Sequence, residues 1–451
     1  MKKFLYIFIL INFLLTIFYI DTWENGNTTA RALPVITYFE NHTFQLDKYH
    51  TQTCDISYVN NHYYPEKAPL PTFIVMPFFW LFKTLGIIKM HDGSFYGKEV
   101  FVLGSVICSV LPFLFIILIT FKHLNKKKLS FSPVLLCMLP LYGSFIFVFS
   151  ASYFAHIFAG FLLLLSYILL KKEKYLLSGV LLGLSFLSEF TVGIALPIWA
   201  FQIYFNKKNF KKSFDFITGF LPSLIFIFIY NFYFTGNPFD MIYKYYINAN
   251  PDAAPYSLDI ISLSKIWKIT FGVYRGVFFY APFLILILLS VFKIKYFKQF
   301  FKSYLPLFCL IYFTYIALSA TWYGGWTYGP RYLTCIVILI FYEGISLVSK
   351  INFSKILFWC LSIFGLICAL MAKFTVLYSL PSEINNPITQ VLIPNILKQN
   401  FNENNLLTML LGTKPIIANA IWILLFVLSL IFLTVLFKKL VKEEKLTERN
   451  C

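Results

Sequence analysis

The stretch from Asp47 to Pro71 is polar, aromatic and crowded with ionisable side chains, although it lies between two strongly apolar segments. It contains Asp47 and Asp55, and then Lys67 within the run Tyr63-Tyr-Pro-Glu-Lys-Ala-Pro69. A carboxylate can take a proton from a hydroxyl or an amine, and a lysine held by stiff, proline-rich backbone is a natural phosphate ligand. This stretch therefore predicts a site that holds an anion next to a proton acceptor.

Two further carboxylates are candidates for the same proton transfer. Asp21 and Glu24 follow directly on the first apolar segment, so we expect them to lie close to the membrane surface. Either one alone also fits the solvated end of a helix. Spacing does not choose among Glu24, Asp47, Asp21 and Asp55 as the general base.

A second polar stretch occurs much later, as Trp322-Tyr-Gly-Gly-Trp-Thr-Tyr-Gly-Pro-Arg331. Its glycines allow the backbone to approach a ligand closely. Arg275 opens an earlier apolar segment, at the membrane interface. We predict that Lys67, Arg275 and Arg331 together form a cationic pocket for a phosphate or pyrophosphate.

Aromatic residues and one carboxylate complete the predicted substrate pocket. Glu189 ends an apolar segment, where a carboxylate is costly unless it faces a polar cavity or pairs with a cation. We expect Tyr64, Trp322 and Tyr328 to lie beside it, although tryptophan and tyrosine are also common at membrane interfaces.

Metal and nucleotide sites have little support in the sequence. His50, Cys54, Asp55 and His62 are near one another without the spacing of metal ligands. A glycine-rich loop of the nucleotide-binding type is missing from the sequence. We therefore predict no certain cofactor, and a divalent metal stays an open alternative.

The composition indicates an integral membrane protein. The 451-residue chain is 59% hydrophobic and only 13% charged, and it contains many apolar segments of membrane-spanning length. Its net charge of +18 comes largely from lysine clusters between those segments, which is typical of cytoplasmic loops and not of nucleic-acid binding. Membrane lipids are therefore expected partners and nucleic acid is not.

The apolar segments predict an all-α bundle of about twelve spans in a single domain, 1–451, without a separate soluble C-terminal domain. The spans are roughly 2–20, 98–121, 132–150, 154–170, 175–190, 191–205, 213–234, 273–292, 303–320, 333–349, 356–374 and 416–437. Segment 71–89 is interpreted as an interfacial or re-entrant helix.

The lysine clusters place both termini in the cytoplasm. The long segments 21–97, 235–272 and 375–415 are then expected on the outer, extracytoplasmic side of the membrane. We expect the first of them, 21–97, to be partly helical, and the active site to be on the extracytoplasmic face, most simply of a bacterial inner or plasma membrane.

The arrangement resembles the GT-C superfamily of integral-membrane glycosyltransferases. A first span is followed by a long, acidic outer loop and then by Tyr63 to Pro69, which is similar to the aromatic-x-x-Lys-x-Pro stretch of the bacterial lipid A aminoarabinose transferases. Leu70 stands where related bacterial sequences have glycine. Further similar blocks are 183–190, 231–239, 275–282 and 322–331.

The resemblance implies that a sugar moves from a polyprenyl-phosphate donor to an acceptor glycan, lipid or protein. An outer carboxylate would be the base, and Lys67 with the outer arginines would hold the leaving phosphate. Relatives often carry the base in an Asp-Glu pair after the first span, but Thr22 and Trp23 separate Asp21 from Glu24 here. We rank Glu24 and Asp47 first. A transporter or flippase of lipid-linked glycans, and a membrane protein of this fold without activity, are the alternatives.

Overall fold

The computed structural model describes residues 1–22, 25–89, 97–247, 258–292, 303–349 and 355–450. Helices account for 72% of the structure, and the apolar helices identify an all-α membrane protein. The helices are α1 Lys2–Ile17, α2 Gly26–Asn41, α3 Leu70–Thr84, α4 Gly97–Ser105, α5 Leu111–Asn125, α6 Pro133–Tyr142, α7 Phe145–Phe149, α8 His156–Lys171, α9 Tyr175–Ser188, α10 Ala195–Lys207, α11 Phe210–Thr235, α12 Leu263–Thr270, α13 Val277–Tyr280, α14 Phe283–Val291, α15 Leu305–Leu318, α16 Thr334–Val348, α17 Lys355–Thr375, α18 Ile393–Leu397, α19 Leu406–Leu411 and α20 Pro415–Asn450.

Five stretches of helix in the described ranges are long and apolar enough to cross a membrane. They are Gly97–Asn125, Phe210–Thr235, Arg331–Val348, Lys355–Thr375 and Pro415–Glu444. The first joins α4 to α5 through a π-helical turn, Val106–Val110. Other apolar helices are shorter than the about 20 residues that a straight crossing needs, so the count of twelve spans stays a prediction.

Two predicted spans are each divided into two helices. Span 132–150 breaks at Gly143 between α6 and α7, where the backbone packs so closely that a Cβ on Gly143 would lie 2.9 Å from the carbonyl oxygen of Ser362. Span 273–292 breaks at Ala281 and Pro282 between α13 and α14, because proline cannot donate an interior helical hydrogen bond.

Small residues let α9 and α11 pack in close contact. A Cβ on Gly179 would lie 2.0 Å from the carbonyl oxygen of Phe216, and one on Gly219 would lie 2.1 Å from that of Leu176. On its other side α9 packs on α8, where Ser166 and Ser178 each donate to the other's backbone carbonyl. Small residues at such crossings are typical of membrane helix bundles.

The first long loop contains α2, a two-stranded hairpin and α3 within its described parts. Asn25 caps α2 in a capping box with Thr28, which satisfies backbone donors at the helix start. Strand β1, Ile56–Val59, pairs antiparallel with β2, His62–Pro65. Segment 71–89 begins with α3, which is apolar but only 15 residues long. The hairpin was not expected from the sequence, whereas partial helicity was.

Residues of three predicted cytoplasmic loops make polar contacts in the described ranges. Lys127 Nζ donates to Ser346 Oγ over 2.8 Å, Lys171 pairs with Glu343, and Glu173 accepts from Lys212 over 3.1 Å. Glu343 and Ser346 belong to the predicted span 333–349, so two of these contacts join loop lysines to a span. The assignment of these residues to the cytoplasmic side stays a prediction.

Candidate functional site

The β1–β2 hairpin brings two carboxylates together. Asn60 and Asn61 form its tight turn with φ of 50° and 66°, a left-handed conformation that asparagine tolerates well and that suits a two-residue hairpin. Ile56 pairs with Pro65 at the open end of the ladder. The register therefore places Asp55 and Glu66, the next residues on each side, beside one another.

Lys67 lies between these two carboxylates. Its Nζ is 2.9 Å from Asp55 Oδ2 and also contacts Glu66 Oε1. The Glu66 side chain is only 2% exposed, and its second oxygen, Oε2, has no hydrogen-bond partner in the described part of the chain. A buried carboxylate oxygen without a partner is costly, which makes it a natural place for a substrate proton to go.

Burial and charge separate the proton affinities of the two carboxyls. Burial raises the pKa of Glu66 to about 7, and the charge of Asp55 adds to this effect against the attraction of Lys67. Burial also opposes ionisation of Asp55, but the charge and hydrogen bond of Lys67 outweigh it and hold the pKa of Asp55 below its ordinary value. Burial disfavours the ammonium form of Lys67, yet Asp55 and Glu66 keep the pKa of this amine above its ordinary value.

The three side chains line a cavity of about 200 Å³, which we call the cation cavity. Its walls come from the first loop, from the adjoining ends of α8 and α9, from the chain after α11, from the end of α15 and from the loop that precedes α16. The other ionisable groups in its lining, tyrosines apart, are Arg31, His156, Glu189 and Arg331.

Two arginines of the cation cavity have unused donors. Arg31 NH1 donates to Asn27 Oδ1 over 2.8 Å, and the Arg331 guanidinium lies 5.3 Å from the ring centroid of Phe154. The Nε of each arginine is buried and has no hydrogen-bond partner in the ranges that the structure describes. An oxyanion in the cavity could satisfy such donors by charge-assisted hydrogen bonds.

Glu189 and His156 form a second acid–base pair in the cavity wall. His156 Nδ1 lies 2.9 Å from Glu189 Oε2. The helix end that carries Glu189 is tied to the opposite wall through Thr191, whose hydroxyl is 2.9 Å from Tyr312 Oη. Tyr312 in turn donates to the backbone oxygen of Tyr332. These contacts position both walls relative to each other.

The structure brings four sequence-predicted residues together at this cavity, namely Asp55, Lys67, Glu189 and Arg331. Lys67 and Arg331 are 264 positions apart (331 − 67) in the printed chain, so their shared cavity depends on the packing of the whole bundle.

Two of the other predicted base candidates, Asp47 and Asp21, lie elsewhere. Asp47 accepts from His62 Nδ1 over 2.6 Å and from the backbone N–H of Tyr63 over 2.7 Å, and so stabilises the hairpin. Asp21 is buried and accepts from Tyr378 Oη over 2.6 Å. Neither lines the cation cavity. Glu24 lies outside the described residues.

Arg275 and three predicted pocket aromatics do not line the cation cavity. Arg275 donates through Nε and NH2 to the backbone oxygens of Tyr323 and Gly325, and so holds the loop that carries Arg331. Three aromatics pack away from the cavity: Tyr64 on Phe234, Trp322 on Tyr274 and Tyr328 on Tyr280.

Sequence reasoning missed Glu66, Arg31 and His156 as members of the site. One signal was available, because Asn60-Asn61 stands between two short runs rich in tyrosine and β-branched residues, a pattern that predicts a hairpin. Such a hairpin would have placed Glu66 opposite Asp55. Arg31 and His156 carry no comparable local signal.

In the searched part of the chain, no group of three or more His, Cys, Asp or Glu residues is arranged to hold a metal ion.

Comparison with protein-family models, with curated proteins and with solved structures returned no match to this chain. The geometry of the cation cavity and the sequence resemblance are therefore what support a function.

Proposed function

We propose that this protein is a membrane glycosyltransferase that moves a sugar from a polyprenyl-phosphate donor to an acceptor at the extracytoplasmic face. The observation that carries the proposal is the meeting of Arg31, Lys67 and Arg331 in one cavity with the carboxylates of Asp55 and Glu66. Sugar transfer from a phosphate needs both halves of this arrangement: cations for the leaving group and a base for the acceptor.

The cations act on the leaving phosphate. When the acceptor oxygen bonds to the anomeric carbon, the carbon–oxygen bond to phosphate breaks and its electron pair leaves with the polyprenyl phosphate. The negative charge on that phosphate grows as the bond breaks. Preorganised donors such as the free Nε groups of Arg31 and Arg331 stabilise this charge most strongly in the transition state.

The carboxylates act on the acceptor. The acceptor hydroxyl must lose its proton as its oxygen attacks, and a base is most effective when its pKa is near the working pH. Burial gives Glu66 a pKa of about 7, which suits this role better than the depressed pKa of Asp55. Asp55 then keeps Lys67 charged and in place. Attack from the side opposite the phosphate inverts the anomeric centre.

The test is a transfer assay with purified protein, a polyprenyl-phosphate sugar and candidate acceptors. Arg331→Ala and Lys67→Ala should each lower turnover by about 100-fold or more, because each removes a charge from the leaving-group site. Arg331→Lys should recover part of the loss. Lys48→Ala is the matched control, since Lys48 lies in the same loop, is 51% exposed and pairs with Glu40.

Every variant must elute as a single folded species in detergent. Undiminished turnover in both Arg331→Ala and Lys67→Ala would contradict the proposal. Translocation of intact donor across proteoliposomes without cleavage would point to the flippase alternative instead.

A further inference from the structure

A second cavity lies beside the loop that carries Arg331. It encloses about 620 Å³. Its lining comes from the residue Thr22 after α1, from the end of α17 and the chain that follows it, and from the region of α18 and the chain between α18 and α19. Its polar wall contains four asparagines, and Trp326 and Glu403 also line it. The asparagines are Asn395, Asn400, Asn402 and Asn404. We call it the amide cavity.

The lining of the amide cavity suits an uncharged ligand with many hydroxyl groups. Each side-chain amide offers both donors and acceptors, as a sugar hydroxyl requires. Glu403 is the only charged side chain among the described lining residues, so a phosphate would find no cation here. The contrast with the cation cavity separates the two sites by chemistry.

The asparagines are held in place and still have capacity to bind. Asn404 Oδ1 accepts from Thr22 Oγ1 over 3.0 Å, and Asn400 Nδ2 donates to Asn395 Oδ1 over 3.0 Å. The backbone N–H of Asn402 donates to Phe374 O over 2.7 Å. Its side-chain Nδ2 is buried without a hydrogen-bond partner in the described ranges, which leaves a preorganised donor for a ligand.

Trp326 adds an aromatic surface to this wall. Its side chain is 58% exposed, although large apolar side chains are costly to expose outside a membrane. The face of an aromatic ring carries negative charge density, and the C–H bonds on one face of a sugar ring are weakly positive. An exposed tryptophan among amides is therefore a natural platform for a sugar ring.

The two cavities share the loop from Trp322 to Arg331. Gly324 and Gly325 line the cation cavity, and Trp326, the next residue, lines the amide cavity. Both glycines have left-handed backbone, with φ of 78° and 70°, and Arg275 fixes the loop through the carbonyl of Gly325. A ligand stacked on Trp326 is thus one residue from the wall of the cation cavity.

We propose that the amide cavity binds the acceptor, and that this acceptor is a neutral glycan whose terminal sugar stacks on Trp326. The role of this glycan as acceptor rests on the proposed transferase function, but the binding of a neutral glycan can be tested without donor or turnover.

The test measures binding of three neutral trisaccharides, maltotriose, mannotriose and triacetylchitotriose, to the full chain in lipid nanodiscs by saturation-transfer NMR. At least one should bind saturably. Trp326→Ala and Asn402→Ala should each weaken that binding by roughly tenfold, from loss of the stacking surface or of the free donor. Trp326→Phe should retain most of it.

Arg331→Ala is the control, because this residue lines only the cation cavity and its variant should bind trisaccharide normally. Trp326→Ala should also keep the wild-type affinity for inorganic phosphate, which reports an intact cation cavity and a folded chain. Absence of saturable binding by all three sugars, or binding that Trp326→Ala and Asn402→Ala leave unchanged, would overturn the inference. If trisaccharide binds as expected but no sugar transfer is ever detected, the proposed function fails and the glycan site stands.

Discussion

At the scale of single residues, the central feature is a lysine shared by two unlike carboxyls. Asp55 and Glu66 both contact Lys67, yet burial raises the pKa of Glu66 to about 7 while Lys67 outweighs burial and holds that of Asp55 down. Environments that separate the pKa values of paired carboxyls are a common way to divide roles between them. We therefore assign proton transfer to Glu66 and the positioning of Lys67 to Asp55.

This assignment predicts the pH dependence of sugar transfer. Below pH about 7 Glu66 is protonated and cannot accept the acceptor's proton, so kcat/KM should rise about tenfold per pH unit and level off above about 7. In Glu66→Gln the remaining activity should lose this rise. The measurement is the initial rate against pH with saturating donor and limiting acceptor, which gives kcat/KM for the acceptor.

A profile already flat from about pH 5.5 to 8 would exclude Glu66 as the base. It would favour Asp55, whose depressed pKa keeps it ionised throughout that range. Asp55→Asn separates the two cases further. If Glu66 is the base, the activity that remains should still rise with pH, because asparagine removes only the charge that holds Lys67.

At the scale of elements, the crossing of α9 and α11 sets the position of one cavity wall. Gly179 and Gly219 allow backbone contact between these helices, and the chain reaches Glu189 directly after α9 ends. Because α9 also packs on α8, which begins at His156, a shift of α9 would separate His156 from Glu189.

Gly219→Leu should therefore destabilise the protein by about 1–3 kcal/mol, since the added side chain would have to enter space occupied by the backbone of Leu176. It should also lower sugar transfer. Leu177→Ala is the control, because Leu177 belongs to α9 but is 53% exposed on the outside of the bundle. Thermal unfolding in detergent measures the stability of both variants, and the transfer assay measures their turnover. Equal melting temperatures for Gly219→Leu and wild type would show that the helices can separate without cost.

At the scale of the whole molecule, the two cavities share the loop from Trp322 to Arg331 as part of their walls. A lysine contact forms at the other end of α8 from the cation cavity. The cation cavity includes His156 at the start of α8, whereas Lys171 at its end pairs with Glu343. If the predicted topology holds, substrates reach the cavities from outside the cell and the lysine contacts face the cytoplasm.

Labelling of introduced cysteines tests that orientation. With Cys54, Cys360 and Cys451 changed to Ser, because Cys54 and Cys360 are exposed, Lys48→Cys should react with a membrane-impermeant maleimide on intact cells. Lys48 is exposed in the first loop. Lys172→Cys, exposed in the turn after α8, should react only after the cells are permeabilised. The reverse pattern would place both cavities in the cytoplasm and remove the case for a lipid-linked donor at the outer leaflet.

The sequence by itself determined the membrane character and much of the cationic half of the site. Apolar helices are recognisable from composition because a helix that crosses lipid needs apolar side chains along the whole segment. Lys67 and Arg331 are recognisable because each sits in a polar stretch stiffened by proline or shaped by glycine. Their convergence was a prediction from topology, and both do line the cation cavity.

Only the tertiary structure decided which carboxylates belong to the site. Asp47 and Asp55 look alike in sequence, but the hairpin register sends Asp55 to Lys67 and leaves Asp47 to bind His62. Arg31 reaches the cavity because α2 packs beside the hairpin. Such placements depend on contacts between residues far apart in the chain, and a local pattern of residue types does not encode the direction in which a loop folds back.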